Sequence, residues 1–166
     1  SSAYLVQIDE SGREFCLIDC GADPSAEEIM AVLRYKGVDA TAVKAIFLTH
    51  GHPDHSAGLR KFPDAEVYVG PGDHDFIEGT SAGDGPILRL VGKKPELAIT
   101  DVKKLHTLED GQTITIGDKA IRAFAVPGHT RGSFAYLLGD VLFVGDATTF
   151  DKQGRAMKPP VPVSYS

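Results

Sequence analysis

His50-Gly51-His52-Pro53-Asp54-His55 places three of the chain's six histidines and a carboxylate within six consecutive positions. Independent placement at this composition yields His-x-His-x-Asp-His in roughly one chain in a thousand, so the cluster reads as chemistry rather than as a polar surface loop. Imidazole nitrogens and carboxylate oxygens are the donors that suit zinc and similar divalent ions. On an extended segment His50 and His52 point to the same side, and the loop then turns Asp54 and His55 toward a neighbouring position. Upstream, Lys44 to Thr49 reads as a short buried strand, with Gly51 and Pro53 punctuating the loop that follows. The donors therefore sit at the end of a strand.

Toward the N-terminus, Tyr4 to Ile8 and Glu14 to Asp19 flank the polar turn Asp9 to Arg13, the pattern of a β-hairpin. Pro24 to Glu28, followed by Ile29, Val32, Leu33 and Lys36 before Gly37, has the cap, acidic first turn and spacing of an amphipathic helix whose apolar face covers a sheet. Beyond the cluster, Ser56 to Phe62 reads as a short helix, Glu66 to Val69 as a strand and Pro71 to Gly79 as another helix. A Gly-rich, weakly patterned stretch follows to about residue 97. Gln112 to Ile116, Lys119 to Val126, Phe134 to Leu138 and Val141 to Val144 then form a β-meander, with tight turns at Gly117-Asp118 and Gly139-Asp140. Strands in both halves with helices between them predict an α/β chain of two packed sheets covered by helices. No repeat, low-complexity tract or linker divides residues 1–166.

The composition fits one soluble domain: 166 residues, 42% apolar and 24% charged, with 18 Gly and 10 Pro. Its longest apolar runs, such as Ala45 to Leu48 and Val141 to Val144, fall far short of the roughly 20 residues that a membrane-spanning helix needs, and no signal segment is visible. Lys and Arg total 17 against 23 Asp and Glu, a net charge of −6, and no basic cluster stands out, so neither nucleic acid nor a membrane is expected as a partner. Cys16 and Cys20, read as lying on one strand, would be about 13 Å apart, beyond disulfide reach. Core packing accounts for both thiols, and they fit a reducing, cytoplasmic setting.

Two further donors follow apolar strands. Val126-Pro127-Gly128-His129-Thr130 places a histidine in a Gly-rich turn, and Leu142-Phe143-Val144-Gly145-Asp146 places an aspartate just past the last strand of the meander. Taken singly, each is an ordinary turn or cap residue. Both loops belong to one predicted sheet, however, so their side chains can converge on the edge where the first cluster sits. His74 and His106 lie in polar surroundings and read as surface residues.

Thr49 to Gly58, Pro127-Gly128-His129-Thr130 and Phe143-Val144-Gly145-Asp146, in that order, resemble the metal motifs of the metallo-β-lactamase-fold hydrolase superfamily. Leu17-Ile18-Asp19-Cys20-Gly21 resembles its opening hairpin, so the likeness runs over nearly the whole chain. It implies an αββα sandwich of two mixed β-sheets flanked by helices, with the metals at one edge. By motif matching, His50, His52 and His129 would bind a first metal, Asp54 and His55 a second, and Asp146 would bridge both. Asp19 would either hydrogen-bond a ligand histidine or end its strand as a polar terminus. Family members carry another histidine for the second metal after the bridging aspartate, and no histidine follows His129 here. The expectation is a single metallo-β-lactamase-like domain over residues 1–166, C-terminally incomplete, with Lys158 to Ser166 leading as a loop toward an absent element. A second copy in a homodimer is one source of the missing pieces.

The resemblance implies a metal-dependent hydrolase of a glyoxalase-II-like or lactonase-like branch, binding one or two zinc ions per chain, with iron or manganese as other candidates. A metal-bound hydroxide, oriented by Asp54, would cleave a small ester, thioester or lactone. Two divalent ions facing two carboxylates and one hydroxide leave a centre of about +1, which favours an anionic substrate. Zinc β-lactamases place Cys or Ser where this chain has Asp146, which disfavours β-lactam hydrolysis. The flavodiiron branch places Glu where this chain has His52, which disfavours oxygen reduction. A mononuclear iron dioxygenase acting on a glutathione-linked persulfide, and a catalytically silent metal-binding fragment, stay open as alternatives.

Overall fold

The computed structural model describes residues 2–80 and 104–157. The weakly patterned stretch and the C-terminal loop read from the sequence lie in large part or wholly outside the described residues. Strands β1 (Tyr4–Gln7), β2 (Phe15–Ile18), β3 (Val43–Phe47), β4 (Glu66–Val69) and β5 (Leu105–Thr107) form one sheet in that order. β1 runs antiparallel to β2, and the other pairs are parallel. The second sheet is the expected meander of β6 (Thr113–Ile116), β7 (Lys119–Ala125), β8 (Phe134–Leu138) and β9 (Val141–Phe143). It is antiparallel throughout because hairpins connect its strands. A small hairpin of β10 (Thr149–Phe150) and β11 (Ala156–Met157) follows.

Strand alternation divides the apolar residues of the first sheet between two cores. Cys16, Ile18, Ala45 and Phe47 face the second sheet and pack with Ile114, Ile121, Ala123, Phe134 and Tyr136. Phe15, Leu17, Ile46, Val67 and Val69 face the other way, against helix α1 (Glu27–Tyr35), the 3-10 turn Ala57–Lys61 and α3 (His74–Glu78), which bring Leu33, Leu59, Phe76 and Ile77. Among the described residues no helix covers the outer face of the second sheet, so three of the four layers of the sandwich are seen.

Several elements differ in detail from the sequence reading. α1 begins at Glu27, and the turn before it is held by Asp23, which precedes the Pro24 to Glu28 stretch and accepts from the amides of Ser25 at 2.8 Å and Glu27 at 3.0 Å. Its core face is Ile29, Met30 and Leu33, which leaves Val32 half exposed. Asp54 and His55 lie not in a loop but on a one-turn helix, α2 (Pro53–Ser56), which Pro53 opens. β2 stops at Ile18 because Asp19 adopts φ 60°. Cys16 and Cys20 therefore are not on one strand: Cys16 packs between the sheets and Cys20 beneath the helices, both as free thiols. β5 is a strand that the sequence pattern did not mark.

Candidate metal centre

Every donor singled out in the sequence stands just past the end of a strand at one edge of the sandwich. Thr49 leads from β3 into His50, His52 adopts an extended conformation, and Pro53 then turns the chain into α2. The β7–β8 connection brings His129, and the turn after β9 brings Asp146. The amide of Phe134 donates to the Thr49 carbonyl at 2.8 Å, which ties the strand ends of the two sheets together. Gly145, at φ 51°, passes so close to Thr49 that a Cβ would lie 2.3 Å from Thr49 Oγ1, so only glycine lets Asp146 reach the edge.

The donors form two overlapping groups. One ligand atom from each of His50, His52 and His129 falls within a 4.8 Å cluster, and so does one from each of His50, His55 and Asp146. His52 Nδ1 lies 3.0 Å from His129 Nε2. The Asp146 carboxylate faces both groups, with Oδ2 3.5 Å from His129 Nε2 and Oδ1 3.4 Å from His55 Nε2. Asp54 Oδ2 lies 3.5 Å from His55 Nε2, on a side chain that is 52% exposed. All six residues assigned to the metals by motif thus converge, with Asp54 at the solvent rim.

The arrangement fits divalent ions on two counts. His50 Nε2 and His55 Nε2 are buried and make no hydrogen bond, a state that costs about 1–3 kcal/mol per group unless something else satisfies the nitrogen. Tetrahedral zinc with bonds near 2.0–2.1 Å separates its ligands by roughly 3.3–3.4 Å, close to the 3.0, 3.4 and 3.5 Å spacings here. The opposite ring nitrogens are anchored, which aims the free ones inward. His50 Nδ1 is 3.2 Å from Thr49 Oγ1, and His55 Nδ1 is 2.8 Å from Asp19 Oδ2.

Asp19 is 2% exposed and also accepts from the Thr49 amide at 2.7 Å and from its hydroxyl at 2.8 Å. Of the two roles the sequence left open, it takes the hydrogen bond to a cluster histidine. Burial raises its pKa despite these partners. Burial, and then the neighbouring imidazoles led by His55, push His50 down to about 2, so it is neutral and ready to donate a lone pair. His52 is lowered by burial and by His129. His55 goes the other way: burial opposes its charge, but the carboxylates of Asp146 and Asp19 outweigh this and raise it to about 10. Contact with His55, working against burial, holds the Asp146 carboxyl well below the usual range.

Sequence reasoning missed Asp73, which read as part of a polar surface run. It is 4% exposed, and its Oδ2 accepts from the Gly51 amide at 2.8 Å and the Thr130 hydroxyl at 2.7 Å. No local signal marks it, because its partners lie 22 and 57 residues away. His74 is only partly buried, and His106 lies on β5 in contact with Glu66, both apart from these donors.

The whole of residues 1–166 matches the model of the metallo-beta-lactamase superfamily. The chain belongs to this superfamily. Among relatives in the metallo-β-lactamase superfamily, a probable polyketide biosynthesis zinc-dependent hydrolase, BaeB of Bacillus velezensis, is 33% identical over 129 residues, covering 75% of this chain and 47% of its own. A hydroxyacylglutathione hydrolase of Hamiltonella defensa is 32% identical over 149 residues, covering 87% of this chain and 47% of its own. The crystal structure of the metallo-β-lactamase GOB-18 from Elizabethkingia meningoseptica superposes with a TM-score of 0.67 at 25% identity, over 93% of this chain and 52% of that one. The chain spans about half the length of these superfamily relatives.

Proposed function

We propose that this metallo-β-lactamase-superfamily chain carries the metal centre of a zinc-dependent hydrolase acting on a small, anionic ester, thioester or lactone. The observation that carries the reading is the Asp146 carboxylate, one oxygen of which faces His55 and the other His129, in the two overlapping groups of donors that share His50. His50, His52 and His129 would hold one ion, Asp54 and His55 a second, and Asp146 both. Bound ions of this kind polarise a carbonyl and supply a water-derived nucleophile at neutral pH. The relatives named zinc-dependent hydrolase and hydroxyacylglutathione hydrolase support zinc and a glyoxalase-II-like thioester substrate.

The chain's own residues do the rest. Neutral His50 and His52 offer lone pairs without first shedding a proton. Asp54, at the rim, holds an attacking water by accepting its proton at a carboxylate oxygen and is placed to hand that proton to the leaving group. Asp19 fixes the ring of His55, so that its Nε2 faces Asp146 and Asp54.

The test is metal content by elemental analysis, followed by hydrolysis assays on a panel of acylglutathione thioesters, lactones and aryl esters. The expected result is up to two zinc ions per chain and turnover that a chelator abolishes and zinc restores. Iron at one per chain with oxygen uptake on a persulfide substrate would overturn the hydrolase in favour of the dioxygenase. Full metal content without turnover on any substrate would favour a silent binding module. Absence of any tightly bound metal would refute the centre itself.

A further inference from the structure

We propose that Asp73 is the positioning residue of the metal centre: its carboxylate clamps the loop carrying His50 and His52 to the loop carrying His129, and so sets the separation of the three imidazoles. The inference rests on the metal-centre reading and deepens it.

Three connections meet at this carboxyl. Asp73 stands between β4 and α3, with its own backbone fixed by the bonds from its amide to the Gly70 carbonyl at 3.0 Å and from the Ile77 amide to its carbonyl at 3.1 Å. On one side its Oδ2 takes the amide proton of Gly51, the residue between the two histidines of the first loop. On the other it takes the hydroxyl proton of Thr130, the residue next to His129. Thr130 is aimed by Ser133, whose Oγ accepts from the Thr130 amide at 3.0 Å and lies 2.9 Å from the Thr130 hydroxyl. With the Thr130 proton committed to Asp73, the Ser133 hydroxyl is the donor in that second contact. A single oxygen therefore joins residues adjacent to His50, His52 and His129, and His52 and His129 meet at 3.0 Å although 77 residues separate them.

The sequence also reserves room for this carboxyl on both loops. A Cβ at Gly51 would lie 3.1 Å from Asp73 Cβ, and a Cβ at Gly132 would lie 2.6 Å from Asp73 Cγ. Neither glycine has a positive φ, so the need is for space rather than for an unusual backbone conformation. The bond between Phe134 and Thr49 joins the same two segments at their bases. It does not reach the tips where the imidazoles stand, and the tips are what Asp73 holds.

The chemistry predicts which substitutions matter. In Asp73→Asn the amide oxygen can occupy the place of Oδ2 and accept from both donors, so the clamp survives without the charge. In Asp73→Ala it is lost. Thr130→Val removes one half of it with little change in shape. The experiment measures zinc affinity by competition with a chromophoric chelator and records the visible absorption of the Co2+-substituted protein, with circular dichroism to check folding. Loss of a hydrogen-bonding support behind metal ligands typically weakens metal binding about 10–100-fold, which is the loss expected for Asp73→Ala, together with altered Co2+ bands. Thr130→Val is expected to weaken binding in the same direction, and Asp73→Asn to retain wild-type affinity and spectrum.

Wild-type affinity and spectrum in folded Asp73→Ala would overturn the role of Asp73 and leave the metal centre standing. Asp73→Asn as weak as Asp73→Ala would also overturn it, because charge rather than the clamp would then be responsible. If Asp73→Ala does not fold, Thr130→Val decides, and unchanged affinity there refutes the clamp. A wild-type protein that binds neither ion would remove the centre and the positioning role together.

Discussion

Stripped of metal, the protein is expected to be most stable near pH 6.5 and to weaken on either side, because two neighbouring histidines are perturbed in opposite directions. An unfolded histidine titrates near 6.5. His55, raised to about 10 in the fold, contributes stability that is fully present below 6.5 and is lost as pH rises toward 10. At 1.36 kcal/mol per pKa unit, moving from pH 6.5 to 8 removes about 1.6 kcal/mol of it. His50, lowered to about 2, has the opposite sign: the unfolded chain binds the proton that the fold refuses, so its penalty grows as pH falls below 6.5. Between pH 6.5 and 8 it returns about 0.4 kcal/mol, and His52 acts in the same direction, leaving a net loss of about 1 kcal/mol. From pH 6.5 to 5 the two roles exchange, and a loss of similar size follows from His50, deepened by His52. Thiols titrate above this window, and Asp19, its carboxyl raised by burial, acts in the same sense as His55. For a chain of this size about 1 kcal/mol corresponds to a melting shift of roughly 2–4 °C. The assay is thermal unfolding in a chelator at pH 5, 6.5 and 8. Repeated with zinc, the alkaline loss should vanish, because an ion on His55 Nε2 replaces the proton. A melting temperature that rises from pH 6.5 to 8 without metal would refute the reasoning.

Three further outcomes follow from single side chains. Asp54→Asn, altering a rim carboxylate, should keep stability within about 0.5 kcal/mol while hydrolysis of the identified substrate falls by about 100-fold or more; undiminished turnover would remove Asp54 from the chemistry. Gly145→Ala pushes a methyl to 2.3 Å from Thr49 Oγ1 at φ 51° and should cost about 1–3 kcal/mol in urea unfolding; unchanged stability would refute the need for glycine there. Tyr136→Phe deletes the buried 2.5 Å bond to the Leu48 carbonyl and should cost about 1–3 kcal/mol. Zinc affinity measured on the same protein should be unchanged.

Much of this centre was legible because its donors are unusual in local sequence. Four of them, His50, His52, Asp54 and His55, fall on one short segment, and the strands behind His129 and Asp146 have plain apolar patterns and tight Gly-containing turns. What local reading missed depends on distant partners. β5 is three residues long, and its pairing with β4 makes it a strand, with Leu105 opposite Val67. Asp73 reads as surface because its neighbours in sequence are His74 and Asp75, whereas its neighbours in space are Gly51 and Thr130. The depth of Asp19 was equally out of reach: its left-handed backbone turns the carboxyl inward under Thr49, and nothing in Leu17-Ile18-Asp19-Cys20 announces that turn.

Thr49 explains why donors so far apart in sequence arrive at one edge. Its amide and hydroxyl both go to Asp19, at the end of β2, and its carbonyl takes the amide of Phe134, at the start of β8. Its side chain lies against the bare backbone of Gly145, next to Asp146. The residue before His50 thus touches the segment that orients His55, the loop that brings His129 and the turn that brings Asp146. The Thr49 amide and carbonyl would otherwise lack partners at the strand end: the Asp19 carboxylate takes the first within one sheet, and the Phe134 amide fills the second across to the other. The imidazoles then inherit their spacing from the fold, before any ion is bound. An ion would displace the proton on His55, whereas His50 is already neutral. Order of this kind lowers the entropic cost of assembling a site for an ion.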